Sequence, residues 1–306
     1  MRQPAKRRYV SLVLAIIAVA ALLSSCAFVR PDAQHDMIEG FFGVVPVVLT
    51  GVFVGLAGTL VGAGGGFILV PILLLMYGFT PQHAIGTSTA VVFLNALSGT
   101  FSYMSQQRID YELGVKFAVV AVPGVVIGAI VSQAFNMTVF SIIFAILLMA
   151  VTYTLIFVDE FSLICSKSQS EPDTRIVYDS TGETHTYSPD MAVGFGGSFL
   201  VGILSGLLGV GGGLMHVPLM TFIGIPIHIA AATSHFIIVV TSFFGVMIFA
   251  GMKTIDLDYT VFLGIGTILG AYYGAKLAMA VHPEVIKRVI AVLLLIVSVK
   301  LIIGII

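Results

Sequence analysis

Three long stretches of this chain contain no Asp, Glu, Lys or Arg: Gly40 to Gln107, Phe117 to Val158, and Met191 to Met252. A bilayer core about 30 Å thick takes about 20 apolar residues per helical span, so these stretches hold several spans between them. Transmembrane barrel strands alternate polar and apolar residues, whereas these runs are apolar on every face, which points to helices. Only 9% of all residues are charged and the mean hydropathy is +1.10, against about 25% charged residues in a soluble globular domain. A net charge of -1 leaves no electrostatic footprint for nucleic acid.

At the N-terminus, Arg2, Lys6, Arg7 and Arg8 precede an apolar run from Val10 to Leu23. That pattern is either a signal segment or a first anchor helix, and Leu23-Ser24-Ser25-Cys26 also resembles a lipoprotein cleavage and acylation site. Both readings keep the basic end cytoplasmic. The two cysteines, Cys26 and Cys165, fall on opposite sides of the membrane in the topology below, which argues against a disulfide.

The chain repeats itself. Gly55 to Pro71 (GLAGTLVGAGGGFILVP) lies over Gly202 to Pro218 (GILSGLLGVGGGLMHVP) with eight of seventeen positions identical. After a one-residue gap the match resumes: Thr87-Ser88 falls on Thr233-Ser234, Gly99 on Gly245, Ile109-Asp110 on Ile255-Asp256, Gly124 on Gly270 and Gly128 on Gly274. The expected organisation is an N-terminal segment (1–40), a first transmembrane repeat (41–158), a hydrophilic cytoplasmic linker (159–190) with seven acidic and two basic residues, and a second repeat (191–306). Each repeat reads as an apolar segment broken at the glycine cluster, a short helix, then three full spans. The fold class is therefore all-α, a polytopic transmembrane bundle of two glycine-broken repeats.

A broken pair that returns on one side or crosses twice leaves each repeat an odd net number of crossings, so the two repeats are expected to have inverted topology. With a cytoplasmic N-terminus, eleven of the fourteen basic residues then lie inside, including Arg108, Lys116, Lys167 and Arg175. Only Arg30, Lys253 and Lys300 fall outside, which is the bias that orients membrane proteins.

Inverted repeats with interrupted helices point to a secondary transporter whose site lies near the midplane. The interruptions are expected at Gly62, Gly64, Gly65 and Gly66 and at Gly209, Gly211, Gly212 and Gly213. Each is followed by a short helix whose first turn, at Phe67 and at Leu214, presents free amides and the positive end of the helix dipole. Such an anion site needs no buried lysine. Hydroxyl and amide groups on the next helix, Thr87, Ser88, Thr89 and Asn95 against Thr233, Ser234, Thr241 and Ser242, suit an oxyanion whose oxygens only accept hydrogen bonds. The competing reading has those hydroxyls bonding back to their own helices. His216 and His235 are further candidates, for anion binding or for carrying a coupling proton. The scattered glycines Gly124, Gly128, Gly270 and Gly274 read as close helix packing. No nucleotide-binding loop, zinc-protease, esterase or dithiol motif is present. Neither a metal nor a cofactor is expected, because no carboxylate or cysteine accompanies the histidines in the spans.

At the glycine boxes, and at Gly86-Thr87-Ser88 with Ala232-Thr233-Ser234, the sequence resembles the TauE/SafE family of sulfite and organosulfonate exporters, from about Gly43 to Ile306. The resemblance implies a proton- or gradient-linked carrier of a small sulfur oxyanion such as sulfite, sulfoacetate, another sulfonate or thiosulfate, in the cell membrane. A homodimer is a further expectation. The segment Met1 to Val29, the long acidic linker and Ala232 at the place of Gly86 depart from the family's simplest pattern. An anion channel built on the same helix termini, or a membrane scaffold docking through the acidic linker, are the alternatives.

Overall fold

The computed structural model describes residues 41–157, 175–178, 184–278 and six helical residues between 291 and 299. The N-terminal segment with Cys26, most of the linker with Cys165, and most of the last expected span lie outside the described residues. In the first repeat the helices are α1 (Phe41–Val61), α2 (Gly66–Leu75), α3 (Pro81–Met104), α4 (Tyr111–Ser132) and α5 (Met137–Phe157). In the second they are α6 (Met191–Leu208), α7 (Gly213–Phe222), α8 (Ile227–Gly251) and α9 (Leu257–Ala278). Six of the helices are long and apolar enough to cross a membrane, while the ten-residue α2 and α7 and the searched part of α5 (Met137–Tyr153) are shorter.

Local chemistry sets the helix ends. Pro81 opens α3, where its missing N–H costs nothing. Asp110 caps α4 by accepting from Leu113 N at 3.0 Å, and its repeat counterpart Asp256 accepts from Tyr259 N at 3.1 Å. Asp190 caps α6 through Ala192 N and Val193 N. Two residues before each of the first pair of caps stand Arg108 and Thr254, and one residue earlier Gln107 and Lys253 both take left-handed backbone angles. The repeat thus extends to its connecting turns.

The two repeats do not sit side by side. The most extensive helix contacts join α1 to α9 and α4 to α6, each pair taking one member from each repeat. Glycines make those approaches possible. A Cβ on Gly124, Gly128, Gly202 or Gly206 would collide with a backbone carbonyl across the α4–α6 interface, and Gly51, Gly55, Gly266 and Gly270 stand in the same relation between α1 and α9. Without a hydrophobic drive between helices in lipid, such close backbone contact is a main source of association. The packing reading of Gly124, Gly128, Gly270 and Gly274 is what the structure has.

The linker, read from the sequence only as a hydrophilic segment, contains two short strands. Arg175–Tyr178 (β1) and Thr184–Tyr187 (β2) pair as an antiparallel hairpin with Arg175 opposite Tyr187. Its ends reach α4, as described below.

Candidate functional site

The glycine clusters are breaks, and they touch each other. In each, three glycines hold left-handed angles at matching places: Gly62, Gly64 and Gly65 (φ 79°, 73° and 81°), and Gly209, Gly211 and Gly212 (φ 69°, 75° and 78°). Side chains rarely adopt that conformation, so the turn requires glycine there. The fourth glycine of each cluster is helical and is needed for proximity instead. A Cβ on Gly66 would come 2.7 Å from Gly209 O, and one on Gly213 would come 2.7 Å from Gly62 O. The first residues of α2 and α7 therefore meet the opposite repeat's turn at one crossing. The first helical amides that fold back are those of Ile68 and Leu69, to Gly65 O, and of Met215 and His216, to Gly212 O. Those ahead of them, which include Phe67 and Leu214, have no acceptor within their own helix.

Serines from the following helices lock the crossing reciprocally. Ser88 Oγ donates to Gly209 O at 2.9 Å, and Ser234 Oγ donates to Gly62 O at 2.7 Å. All four groups are buried. Each repeat thus satisfies a carbonyl that the other repeat's break leaves free, which is how irregular backbone survives away from water. The exchange also takes up acceptor groups at the crossing and leaves donor groups in excess there.

Threonines next to those serines turn elsewhere. Thr87 Oγ1 accepts from Asp256 N at 2.9 Å, and Thr233 Oγ1 accepts from Asp110 N at 3.0 Å. They hold the helix-connecting turns of the opposite repeat rather than facing the crossing. Thr89 and Thr241 bond back to their own helices, through Ile85 O at 2.8 Å and Ile237 O at 3.0 Å, and Ser242 does the same to Ile238 O.

The reciprocity ends at Asn95. Its Nδ2 donates to Gly64 O at 2.6 Å and its Oδ1 accepts from Thr59 Oγ1 at 2.9 Å, while Tyr103 Oη donates to Thr59 O at 2.9 Å. The equivalent places in the second repeat are Thr241, Gly206 and Phe249. Two fully buried imidazoles add to the asymmetry. His216 and His235 stand where the first repeat has Leu69 and Thr89; His216 turns Nδ1 toward Gly212 O at the cap of α7, and His235 turns Nδ1 toward Ala231 O within α8. The Nε2 atoms of both are buried without a hydrogen-bond partner. His235 lies against Gly99 and packs edge-on to the Tyr103 ring with centroids 5.2 Å apart.

Asn95→Leu is expected to leave Gly64 O and Thr59 Oγ1 unpartnered and to cost about 1–3 kcal/mol. Thr241→Val, which removes only a hydroxyl bonded within its helix, is expected to cost well under that. Melting of the detergent-solubilised proteins measures the difference.

At the N-terminal end of α4, Asp110 gathers a cluster that the sequence reading did not include. Arg175 Nη1 donates to both Asp110 oxygens at 3.2 Å, Tyr187 Oη donates to Asp110 Oδ2 at 2.8 Å, and Arg175 Nη2 reaches Glu112 at 2.8 Å. Burial and the adjacent Asp110 raise the Tyr187 hydroxyl above its usual range, so it stays a donor. Burial disfavours the Arg175 charge, but Glu112 and Asp110 overcome this and raise its pKa on balance. The repeated Ile-Asp pair, each Asp three residues before a helical amide, was the signal for Asp110 and Asp256. Nothing in the sequence pointed to Arg175 as the partner of Asp110.

Comparison with known proteins supplies an independent line. The family model described as "Sulfite exporter TauE/SafE" matches residues 47–301. The probable membrane transporter protein YunE of Bacillus subtilis is 34% identical over 268 residues, covering 83% of this chain and 93% of its own. The probable membrane transporter protein MJ0441 of Methanocaldococcus jannaschii is 23% identical over 263 residues, covering 81% and 91%. The probable membrane transporter protein YdhB of Bacillus subtilis is 25% identical over 248 residues, covering 81% and 94%. No solved structure matches the chain significantly.

Proposed function

This chain is a multi-pass membrane protein of the sulfite exporter TauE/SafE family, and from that premise we propose that it is a secondary transporter that exports a small sulfur oxyanion by alternating access. The observation that carries the reading is the crossing itself. Two helix N-termini from different repeats meet at turns whose carbonyls are already occupied by Ser88 and Ser234. The groups left to face a solute are amides and the positive ends of two helix dipoles, which favour an anion in an interior without charged side chains. Sulfite, thiosulfate and sulfonates carry acceptor oxygens only, which such donors match.

The anion would sit between Gly64–Phe67 and Gly211–Leu214, with Ser88, Ser234 and Asn95 bordering it. His216 and His235 offer two buried imidazole nitrogens without a partner and are the candidates for carrying a coupling proton. The reciprocal serine bonds support halves related by a pseudo-two-fold, and the bias of basic residues supports a cytoplasmic N-terminus and linker in the plasma membrane. Because α1 packs on α9 and α4 on α6 across glycine-lined interfaces, the moving bodies are these mixed pairs. Rocking of whole sequence halves would separate both interfaces.

Purified protein in liposomes is expected to move labelled sulfite or thiosulfate down an imposed gradient, with saturation and with faster flux when substrate is present on the far side. Flux that ignores far-side substrate would favour a channel, and no flux of any sulfur oxyanion would overturn the proposal.

A further inference from the structure

We infer that Val92 and Ile238 set the size of anion the crossing admits, and that they fill the crossing in the conformation described; the inference rests on the transport reading above. The two residues are repeat counterparts, and each lies four positions after the serine that locks the opposite turn. A spacing of four puts them on the same helix face as Ser88 and Ser234, one turn further along.

Both are fully buried, and both reach both breaks. A Cβ on Gly64 would lie 3.1 Å from Val92 Cγ1 and 3.4 Å from Ile238 Cδ1. One on Gly211 would lie 3.3 Å from Ile238 Cγ2 and would collide with Val92 Cγ1, and one on Gly213 would collide with Ile238 Cδ1. With Ala96 they form an apolar cluster separate from the main core. The middle of the crossing is therefore occupied by methyl groups, with backbone polar groups around them.

An anion that uses the turn amides must displace those methyls. Neither side chain can donate or accept a hydrogen bond, so they discriminate by volume alone. The amides and serines hold the oxyanion end, which every candidate substrate shares. Val92 and Ile238 act on what is attached to it. A compact anion of sulfite size needs the least displacement, and a carbon-bearing sulfonate needs more.

The test is uptake of labelled sulfite and labelled sulfoacetate into liposomes holding wild-type protein, Val92→Ala or Ile238→Ala. A methylene in a tight hydrophobic pocket discriminates by about 10–200-fold, and a crossing that must open should show less. Each alanine variant is expected to raise the sulfoacetate-to-sulfite rate ratio by about 5- to 10-fold. A structural role would lower both rates together and leave the ratio unchanged. If alanine prevents folding, the one-methylene changes carry the test: Val92→Ile should lower the ratio and Ile238→Val should raise it, each about threefold. Ratios that stay at the wild-type value in folded, transporting variants would overturn the inference. Wild-type protein that moves neither anion would overturn this inference, and the transport reading falls with it if thiosulfate is not moved either.

Discussion

Gly65→Ala is expected to destabilise the protein by about 3–4 kcal/mol, whereas Gly212→Ala, at the matching place in the second repeat, is expected to cost only about 1–2 kcal/mol. Both glycines hold left-handed angles, φ 81° and 78°, so both substitutions carry the same conformational penalty. They differ in what the new methyl meets. At Gly65 it would lie 2.7 Å from Val54 O and 2.8 Å from Val54 Cγ1, backbone and side chain of the helix that the break interrupts. At Gly212 the nearest atoms are His216 Nδ1 at 3.2 Å and the Ser205 side chain at 3.4 Å, which can move aside. Overpacking against backbone adds about 1–3 kcal/mol that a yielding side chain does not. The thermal midpoints of the two variants in one detergent measure the contrast. Equal losses would mean that the turns relax as freely on one side of the crossing as on the other.

Arg175→Ala is expected to cost about 3 kcal/mol, the low end for stripping the partner from a buried ion pair. The side chains of Arg175 and Asp110 are 10% and 7% exposed, so the pair is shielded from water. Without the guanidinium, Asp110 keeps Tyr187 Oη and Leu113 N, two neutral donors that hold the loss toward the lower figure. The contact with Glu112 contributes little, because that carboxylate is 66% exposed. Arg175→Lys should recover only part of the loss, since one ammonium cannot bridge Asp110 and Glu112 as the two guanidinium nitrogens do. The double variant Arg175→Ala/Asp110→Ala should be more stable than the sum of the single losses predicts, because no buried charge then stands alone. Asp256→Ala is the control. Among the described residues no basic side chain pairs with Asp256, so only its helix cap is lost, about 1 kcal/mol. A cycle of thermal or denaturant unfolding on these variants decides whether the hairpin fastens the protein at Asp110 as strongly as its geometry indicates.

Much of the fold was legible in the sequence because the bilayer limits the choices so severely. Charge-free runs had to be helices, and glycine clusters inside them had to be interruptions, since three left-handed positions within four residues, at Gly62, Gly64 and Gly65, admit nothing else. Ser88, Ser234 and Asn95 were named from residue type and depth, and all three reach the breaks. Thr87 and Thr233 were named on the same grounds and hold the opposite repeat's Asp256 and Asp110 amides instead. One residue along a helix turns a side chain by about 100°, and residue type alone does not say which neighbour then faces it. Val92 and Ile238 were passed over because aliphatic residues in a membrane helix carry no distinguishing signal.

By itself the sequence determined that this is a helical membrane protein of two related halves, each broken at a run of glycines, because apolar length and backbone conformation are local properties. Only the tertiary structure decided which helices pair across the repeats, that each serine closes the other repeat's turn, that methyl groups occupy the crossing, and that a linker hairpin reaches Asp110. Those are contacts between residues from 65 to more than 200 positions apart. Nothing local selects among such partners, and only the packing of backbone against backbone at the glycines fixes which surfaces come within reach.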